Sequence, residues 1–304
     1  MTAFTRNGSG PTRSFYLIFE WADGGNLENV YERYKNPSPS VKLSKLAIKQ
    51  LLGISEALAE AHENKIRHGD LKPGNILCFM PTEDNIFGTL KIGDWGLAKF
   101  HSDATTLRGE QGIATTTKYG TPLYEPPEVE LGDVKILGRQ YDVWSMGCVI
   151  MELVIWLLYG HLNIQKFRGQ IKGNLRERVP CYETRIEANQ RVASLRPSVV
   201  DWMDHISKEP ICGDDTILGN LLELVRTQLL IVPLPPDMGQ PERLEGDNLL
   251  EDPATQGSRA PKLFITSPMN DNNDSKPLAA KGMAYRITSK EEKSGDLPAK
   301  HPRT

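Results

Sequence analysis

Three polar side chains lie within six residues in the stretch IRHGDLKPGNIL, which occupies residues 66–77. The carboxylate of Asp70 could accept the proton of an attacking hydroxyl group. The ammonium group of Lys72 could offset the charge of a transferring phosphoryl group, and the amide oxygen of Asn75 could hold a metal ion. These residue types at this spacing suit a metal-assisted group-transfer site.

A further carboxylate follows at Asp94, which begins the sequence D-W-G nineteen residues after Asn75. It comes just after the short strand-like run L-K-I at residues 90–92. A carboxylate between a strand end and a glycine suits a Mg²⁺ ligand on a hinge, because glycine permits backbone conformations closed to other residues. Asn75 and Asp94 are therefore the candidate metal ligands.

Short strands and one long helix are predicted to position these loops. The apolar residues on either side of residues 68–75 predict a strand, a tight turn and a second strand. Apolar residues at helical spacing over residues 43–63 predict a long helix whose apolar face belongs to the core. A β-rich run over residues 15–20 predicts an earlier strand, and a helical pattern begins at Asn26.

The composition is that of a globular protein. The chain has 304 residues, of which 39% are hydrophobic and 25% charged, so one large or two small domains could form a core. The formal net charge is −3, from 36 basic and 39 acidic residues. Such a balance gives no sign of a polyanion-binding surface and predicts that nucleic acid is not a partner.

Cysteine usage and hydropathy indicate a cytoplasmic or nuclear protein. The four cysteines are far apart and form no C-x-x-C motif, which favours reduced thiols. Residues 1–11 contain no apolar stretch typical of a secretory signal. The most apolar run, residues 149–159, contains Glu152 and is shorter than the roughly 20 residues that a membrane helix needs. It predicts a core helix and no membrane partner.

Four motifs in order resemble those of protein kinases. H-G-D-L-x-x-x-N and D-W-G resemble the catalytic loop H-R-D-L-x-x-x-N and the metal motif D-F-G. G-T-P-L-Y-E-P-P-E at residues 120–128 resembles the end of the activation segment, and D-V-W-S-M-G at residues 142–147 resembles the central helix of the C-terminal lobe. The set resembles eukaryotic-type Ser/Thr protein kinases and looks most like kinase-domain proteins of filamentous fungi.

The resemblance implies roles for the polar loops. Asp70, Lys72 and Asn75 would be catalytic, and Asn75 and Asp94 would hold Mg²⁺ for the cofactor ATP. The threonine of the family that matches Thr121 forms hydrogen bonds near the catalytic aspartate and lysine. Lys72 and Thr121 together imply transfer to serine or threonine hydroxyls of a protein substrate.

The resemblance also implies a nucleotide-binding site. Phe19 would be the gatekeeper beside the nucleotide base, and the backbone of Glu20 and Ala22 would form hydrogen bonds with adenine. Leu77 would form the floor under adenine, and Asp94 would complete the cofactor-binding set.

Two further residues acquire structural roles by resemblance. Asp142 would accept hydrogen bonds from the backbone of the catalytic loop. Glu128 would form an ion pair with a distant arginine, for which Arg226 and Arg243 are the candidates.

The chain departs from the kinase pattern at Gly69, where the family usually has arginine. In many kinases that arginine pairs with a phosphorylated residue of the activation segment. The sequence therefore predicts that this switch is absent, although five threonines precede Thr121 in the segment: Thr105, Thr106, Thr115, Thr116 and Thr117.

Two alternatives to an active Ser/Thr kinase remain. H-G-D and D-W also resemble small-molecule phosphotransferases of the aminoglycoside and choline type, which lack the G-T…P-P-E segment and the D-x-W-S-x-G helix. No glycine-rich loop and no V-A-x-K sequence precede residue 15, so the N-terminal lobe is expected to be largely missing. This predicts a truncated kinase with weak activity alone, or a pseudokinase-like module that binds nucleotide or protein.

The expected fold is mainly α (α+β). It is a protein-kinase-like C-terminal lobe with short β-strands around the catalytic loop. Residues 1–13 are predicted to be a flexible N-terminus, and residues 14–232 a partial kinase domain with the hinge and the C-terminal lobe. Residues 233–304 are rich in proline, serine and charged residues, which predicts a disordered polar tail.

Overall fold

A computed structural model describes residues 2–7, 13–100, 120–131, 138–172, 179–187, 190–213 and 216–232. Its α-helices are α1 (Leu27–Arg33), α2 (Val41–Glu63), α3 (Glu128–Leu131), α4 (Gln140–Tyr159), α5 (His161–Lys172), α6 (Pro197–Ile206) and α7 (Ile217–Leu224). Its strands are β1 (Thr2–Asn7), β2 (Arg13–Ile18), β3 (Ile66–Arg67), β4 (Ile76–Phe79), β5 (Thr89–Ile92), β6 (Lys99–Phe100), β7 (Tyr182–Glu187) and β8 (Gln190–Leu195). Helices with short strands agree with the predicted class.

The described strands form two-stranded antiparallel sheets, and two of these hold the polar loops. In the β4–β5 pair, Ile76 lies opposite Ile92, and in the β3–β6 pair, Ile66 lies opposite Phe100. The first polar loop connects β3 to β4, and the loop with Asp94 connects β5 to β6. Pairing of the flanking strands therefore brings the two loops together.

Helix α4 is the centre of the core. Its side chains from Tyr141 to Leu157 are buried, and Trp156 donates a hydrogen bond to the carbonyl of Tyr34 after α1. Among the described residues it is the one helix long and apolar enough to cross a membrane. Because 94% of its apolar window is buried inside the protein, it has the environment of a core helix, as predicted.

Helix α2 begins and ends close to the predicted bounds. The Ser40 hydroxyl caps its first turn by accepting from the Leu43 N–H at 3.2 Å. The left-handed residue after the helix is Lys65 (φ 59°). The Asn64 side chain donates to the Glu60 carbonyl at 2.8 Å, so Asn64 extends the capped end and the chain reverses one residue later.

Two strand pairs differ from the sequence predictions. Residues 1–13 were expected to be flexible, but β1 pairs along its length with β2, which ends at Ile18 instead of residue 20. β1 contains one large apolar residue, so its sequence favours a strand only weakly. Hydrogen bonding to β2 stabilises the strand conformation that the intrinsic propensity alone would not. β7 and β8 form an antiparallel pair that the sequence analysis did not predict. In β7, Thr184 and Ile186 alternate with charged residues, which is typical of a strand.

The described chain ends with two consecutive helical segments. Helix α7 ends at Leu224, and one π-helical turn, Val225–Leu229, follows it directly. The predicted disordered tail, residues 233–304, lies outside the described residues.

Candidate active site

The Asp70 carboxylate lies at the centre of a group of hydrogen-bond donors. Its Oδ2 accepts from Lys72 Nζ at 2.6 Å, and its Oδ1 accepts from the N–H and the hydroxyl of Thr121, each at 3.0 Å. Lys72 also donates to the Thr121 hydroxyl at 2.7 Å. These hydrogen bonds hold the Asp70 carboxylate in one orientation. Asp70 is 9% exposed and the Lys72 side chain is more exposed, so part of the site remains accessible to a substrate.

Asn75 is positioned by a short 3₁₀ turn, Pro73–Asn75, in which proline supplies the first, donor-free position. Its Nδ2 donates to the Asp70 carbonyl at 2.8 Å and to the Asp70 carboxylate at 3.1 Å. Both of these hydrogen bonds use the amide nitrogen. The amide oxygen accepts no hydrogen bond from the described residues, and it is therefore available to a cation.

The Asp142 carboxylate accepts hydrogen bonds from the backbone of this loop, as the resemblance implied. Its Oδ1 accepts from the Gly69 N–H at 2.8 Å, and its Oδ2 accepts from the His68 N–H at 2.8 Å and contacts His62 Nε2 at 2.9 Å. Burial alone would raise the pKa of Asp142, but these hydrogen bonds outweigh burial and hold the pKa below its usual value. Gly69 adopts φ +81°, which glycine does without strain.

Asp142→Asn is expected to lower the free energy of unfolding by about 2–4 kcal/mol, because the amide offers one acceptor where three donors converge. Since the pKa of Asp142 is lowered by folding, its stabilisation is present above the unfolded-state pKa. That stabilisation is lost as the pH falls through the folded-state pKa. The difference in the free energy of unfolding between the wild type and Asp142→Asn should therefore be smaller at acidic than at neutral pH. Urea unfolding at both pH values measures this difference.

The matched control is Asp84→Asn, since Asp84 is an exposed carboxylate paired with Lys42 at the surface. This variant should unfold at nearly the wild-type urea concentration. An Asp142→Asn protein as stable as this control would contradict the role of Asp142 as the support of the loop.

The loop with Asp94 is connected to the first loop through Gly93. The Gly93 N–H donates to the Asn75 carbonyl at 2.8 Å, and the Gly93 carbonyl lies 2.9 Å from His68 Nε2. Asp94 adopts a left-handed conformation (φ 55°) and accepts from the Gly96 N–H at 3.3 Å. Its exposed carboxylate is thus held beside the loop that contains Asn75.

The donor chemistry of Asn75 and Asp94 fits a hard divalent cation such as Mg²⁺, which prefers oxygen ligands. The described residues contain no cluster of three or more histidine, cysteine, aspartate or glutamate side chains that could form a complete metal site. Mg²⁺ commonly retains water and phosphate ligands. Two protein oxygens are therefore suited to a cation that arrives with a phosphorylated ligand.

The candidate nucleotide-binding residues lie on two connected segments. Gly24 N–H donates to the Cys78 carbonyl at 3.0 Å, and Cys78 N–H donates to the Gly25 carbonyl at 2.8 Å. These bonds join the turn that follows Ala22 to β4 beside Leu77. A Cβ on Gly93 would lie 2.7 Å from Leu77 Cδ1, so glycine is required for Leu77 to pack beside the Asp94 loop.

The remaining nucleotide-binding candidates are more exposed. Phe19 is 66% exposed after β2, and the Glu20 carboxylate pairs with Lys91 Nζ at 2.9 Å. The Ala22 carbonyl accepts from the Gly25 N–H at 3.0 Å. The Ala22 N–H makes no hydrogen bond to the described part of the chain and remains available to a ligand.

One partly buried network has no counterpart in the sequence predictions. Arg168 donates to both oxygens of Glu152 at 2.7 Å and to both oxygens of Glu28, at 2.5 and 2.8 Å. The Tyr124 hydroxyl contacts both Glu152 oxygens at 3.0–3.1 Å. The network joins α1, α4 and α5 to the segment that begins at Thr121. The only local signal was an acidic residue, Glu152, in an apolar run.

Two other predictions concern ion pairs and threonines. Arg226, a candidate partner of Glu128, pairs with Asp204 at 2.6 Å. Arg243 and the threonines at 105, 106 and 115–117 lie outside the described residues. The predicted absence of a phosphorylation switch therefore stays a prediction.

Comparisons with known proteins show which family this sequence matches. A family model described as "Protein kinase domain" matches residues 3–209. A probable serine/threonine-protein kinase fhkD of Dictyostelium discoideum is 35% identical over 152 residues, 47% of this chain and 18% of that protein. A probable serine/threonine-protein kinase nek2 of the same organism is 34% identical over 146 residues, 47% of this chain and 31% of that protein.

The matched part of this chain thus spans about a fifth to a third of the length of these relatives. Among solved structures, a chain of the yeast RNA Pol II CTD kinase CTDK-1 complex shares 30% identity, with a TM-score of 0.37. That match covers 56% of this chain and 50% of the other.

Proposed function

We propose that this chain, which belongs to the protein kinase domain family, transfers the γ-phosphoryl group of ATP to serine or threonine hydroxyls of protein substrates. The observation that supports this best is the Asp70 carboxylate, which Lys72 and Thr121 orient beside Asn75. The names of the relatives, both serine/threonine-protein kinases, favour the same substrate class. They do not favour a small-molecule phosphotransferase.

In the proposed reaction the substrate hydroxyl oxygen forms a bond to the γ-phosphorus while the bond from that phosphorus to the β-phosphate oxygen breaks. Asp70 orients the hydroxyl and accepts its proton. Lys72, already hydrogen-bonded to Asp70 and Thr121, places its positive charge next to the phosphoryl group. When bound, Mg²⁺ would neutralise phosphate charge, and Asn75 and Asp94 would hold it through their side-chain oxygens.

The proposed nucleotide site uses Phe19, Glu20, Ala22 and Leu77. The Ala22 N–H and the backbone of Glu20 would bind the edge of adenine, and Leu77 would contact its face. Phe19 would lie beside the base. Residues 14–232 would form the kinase domain, in the cytoplasm or the nucleus.

Transfer of radiolabel from γ-labelled ATP to a protein substrate, followed by phosphoamino acid analysis, tests the proposal. The expected products are phosphoserine and phosphothreonine, formed only with Mg²⁺ present. Label on a small-molecule alcohol instead of protein would refute the proposed substrate class. Nucleotide binding without transfer to any acceptor would identify a binding module.

Asp94→Asn is expected to abolish the stabilisation that ATP and Mg²⁺ together give the folded chain, because Asp94 is the only charged metal ligand in the proposed site. A thermal-shift titration of Mg²⁺ at fixed ATP measures this effect. The matched control is Asp201→Asn, an exposed aspartate on α6, which should keep the full shift. Equal shifts in the two variants would show that Asp94 is not the ligand.

A further inference from the structure

The charged residues of α2 are distributed unfavourably for the helix dipole. Lys42, Lys45 and Lys49 lie in its first half, whereas Glu56, Glu60 and Glu63 lie in its second half. The N-terminal end of a helix has a partial positive charge and is stabilised by acidic residues, yet the first turn of α2 contains none. The position of the three lysines therefore does not stabilise the helix itself. Together with the N-terminal end of the helix, they form a concentrated positive surface.

This positive surface has an apolar floor. The lysines recur at helical spacing on one face and line a shallow groove of about 580 Å³ together with Val41, Leu46 and Leu52. No acidic residue is among the described residues that line it. Val41 is 47% exposed, although it is a large aliphatic side chain. The groove thus offers apolar contacts surrounded by cations, which suits an anionic peptide that also contains apolar side chains.

The lysines are largely available to such a peptide. Lys42 pairs with Asp84 at 2.8 Å, but the two side chains are 69% and 93% exposed. Ion pairs this exposed contribute little and exchange readily. Lys45 and Lys49 are exposed and form no ion pair within the described part of the chain.

We propose that residues 242–252 of the same chain dock in this groove. The segment reads ERLEGDNLLED, with five carboxylates, one guanidinium group and three leucines. Its carboxylates complement the lysines, and its leucines complement the apolar floor. The remainder of the tail, residues 253–304, has nine lysines and arginines against five acidic residues and offers no such complement.

The length of the chain permits this contact. Nine residues, 233–241, connect the end of the described chain at Val232 to the acidic segment, and four of them are prolines. An extended proline-rich linker of this length reaches about 30 Å, comparable to the roughly 35 Å length of a 23-residue helix. Helix α7 packs against α2 and ends at Leu224, eight residues before Val232, so the linker begins a short distance along the chain from a helix that contacts α2.

Zero-length carbodiimide cross-linking of the full chain tests the proposal, because it joins a lysine to a carboxylate only when the two are in contact. An equal mixture of unlabelled and ¹⁵N-labelled chains is cross-linked, and the peptides are identified by mass spectrometry. The expected products join Lys45 or Lys49 to Glu245, Asp247 or Glu251 within chains of a single label. Mixed-label products alone would indicate docking between two copies and would overturn the proposal. Absence of any product between these residues would also overturn it.

Charge reversal provides the matched variants. Lys45→Glu with Lys49→Glu should reduce the intramolecular products about tenfold, and so should the triple reversal Glu245→Lys, Asp247→Lys and Glu251→Lys. Combining both sets should restore cross-linking with donors and acceptors exchanged. The control Lys166→Glu, an exposed lysine on α5, should leave the yield unchanged. Failure of the combined variant to recover while its far-UV spectrum stays native would overturn the proposal.

Discussion

Asp70→Asn is expected to lower kcat for phosphoryl transfer about 10²–10⁴-fold, the range that general-base catalysis supplies. Asparagine cannot accept the proton of the substrate hydroxyl. Its amide would also present N–H groups where the ammonium of Lys72 or the N–H of Thr121 now donates, at 2.6 and 3.0 Å. The substitution therefore removes the proton acceptor and disturbs the residues that orient it.

Steady-state kinetics with ATP and a protein substrate measure this effect. Because Asp70 acts on the hydroxyl and not on the nucleotide, KM for ATP should change little. The control is Asp201→Asn, which removes an exposed carboxylate on α6 and should leave kcat unchanged. Retention of most of kcat by Asp70→Asn, in a sample with a wild-type unfolding profile, would contradict the assignment of Asp70 as the base.

Arg168→Met is expected to lower the free energy of unfolding by about 3–5 kcal/mol, the cost of leaving a buried charge without its partner. Glu152 is almost fully buried, and Arg168 donates to both of its oxygens at 2.7 Å. Burial raises the pKa of Glu152, and the arginine opposes that rise. Without the arginine, the carboxyl group would take up a proton more readily in the folded state. The loss of unfolding free energy in Arg168→Met, relative to the wild type, should therefore become smaller as the pH falls. The reason is that the folded variant binds more protons than its unfolded chain.

Urea unfolding of three variants separates the buried charge from simple loss of packing. Glu152→Gln combined with Arg168→Met should be more stable than Arg168→Met alone, since the glutamine remains neutral and can still contact the Tyr124 hydroxyl. Arg226→Met removes a half-exposed ion pair with Asp204 and should cost no more than about 1 kcal/mol. If the double variant were less stable than Arg168→Met, the buried charge would not be the cause.

Local sequence patterns were sufficient to predict the features that depend on neighbouring residues. The bounds of α2 follow from apolar spacing and from the Ser40 cap. The placement of Asp70, Lys72 and Asn75 on one loop follows from the apolar residues on either side of it. Hydrogen bonds and periodicity over a few residues decide such features, so a linear pattern contains enough information to predict them.

Other contacts between distant groups emerge only from the tertiary structure. His62 contacts Asp142 from 80 residues away, and Arg168 reaches Glu28 across 140 residues. β1 becomes a strand because β2 pairs with it, although its own residues favour a strand only weakly. Such contacts depend on how helices and strands pack. A buried charge needs an oppositely charged partner from another element, because an unpaired buried charge is destabilising. Spacing along the chain does not contain that information.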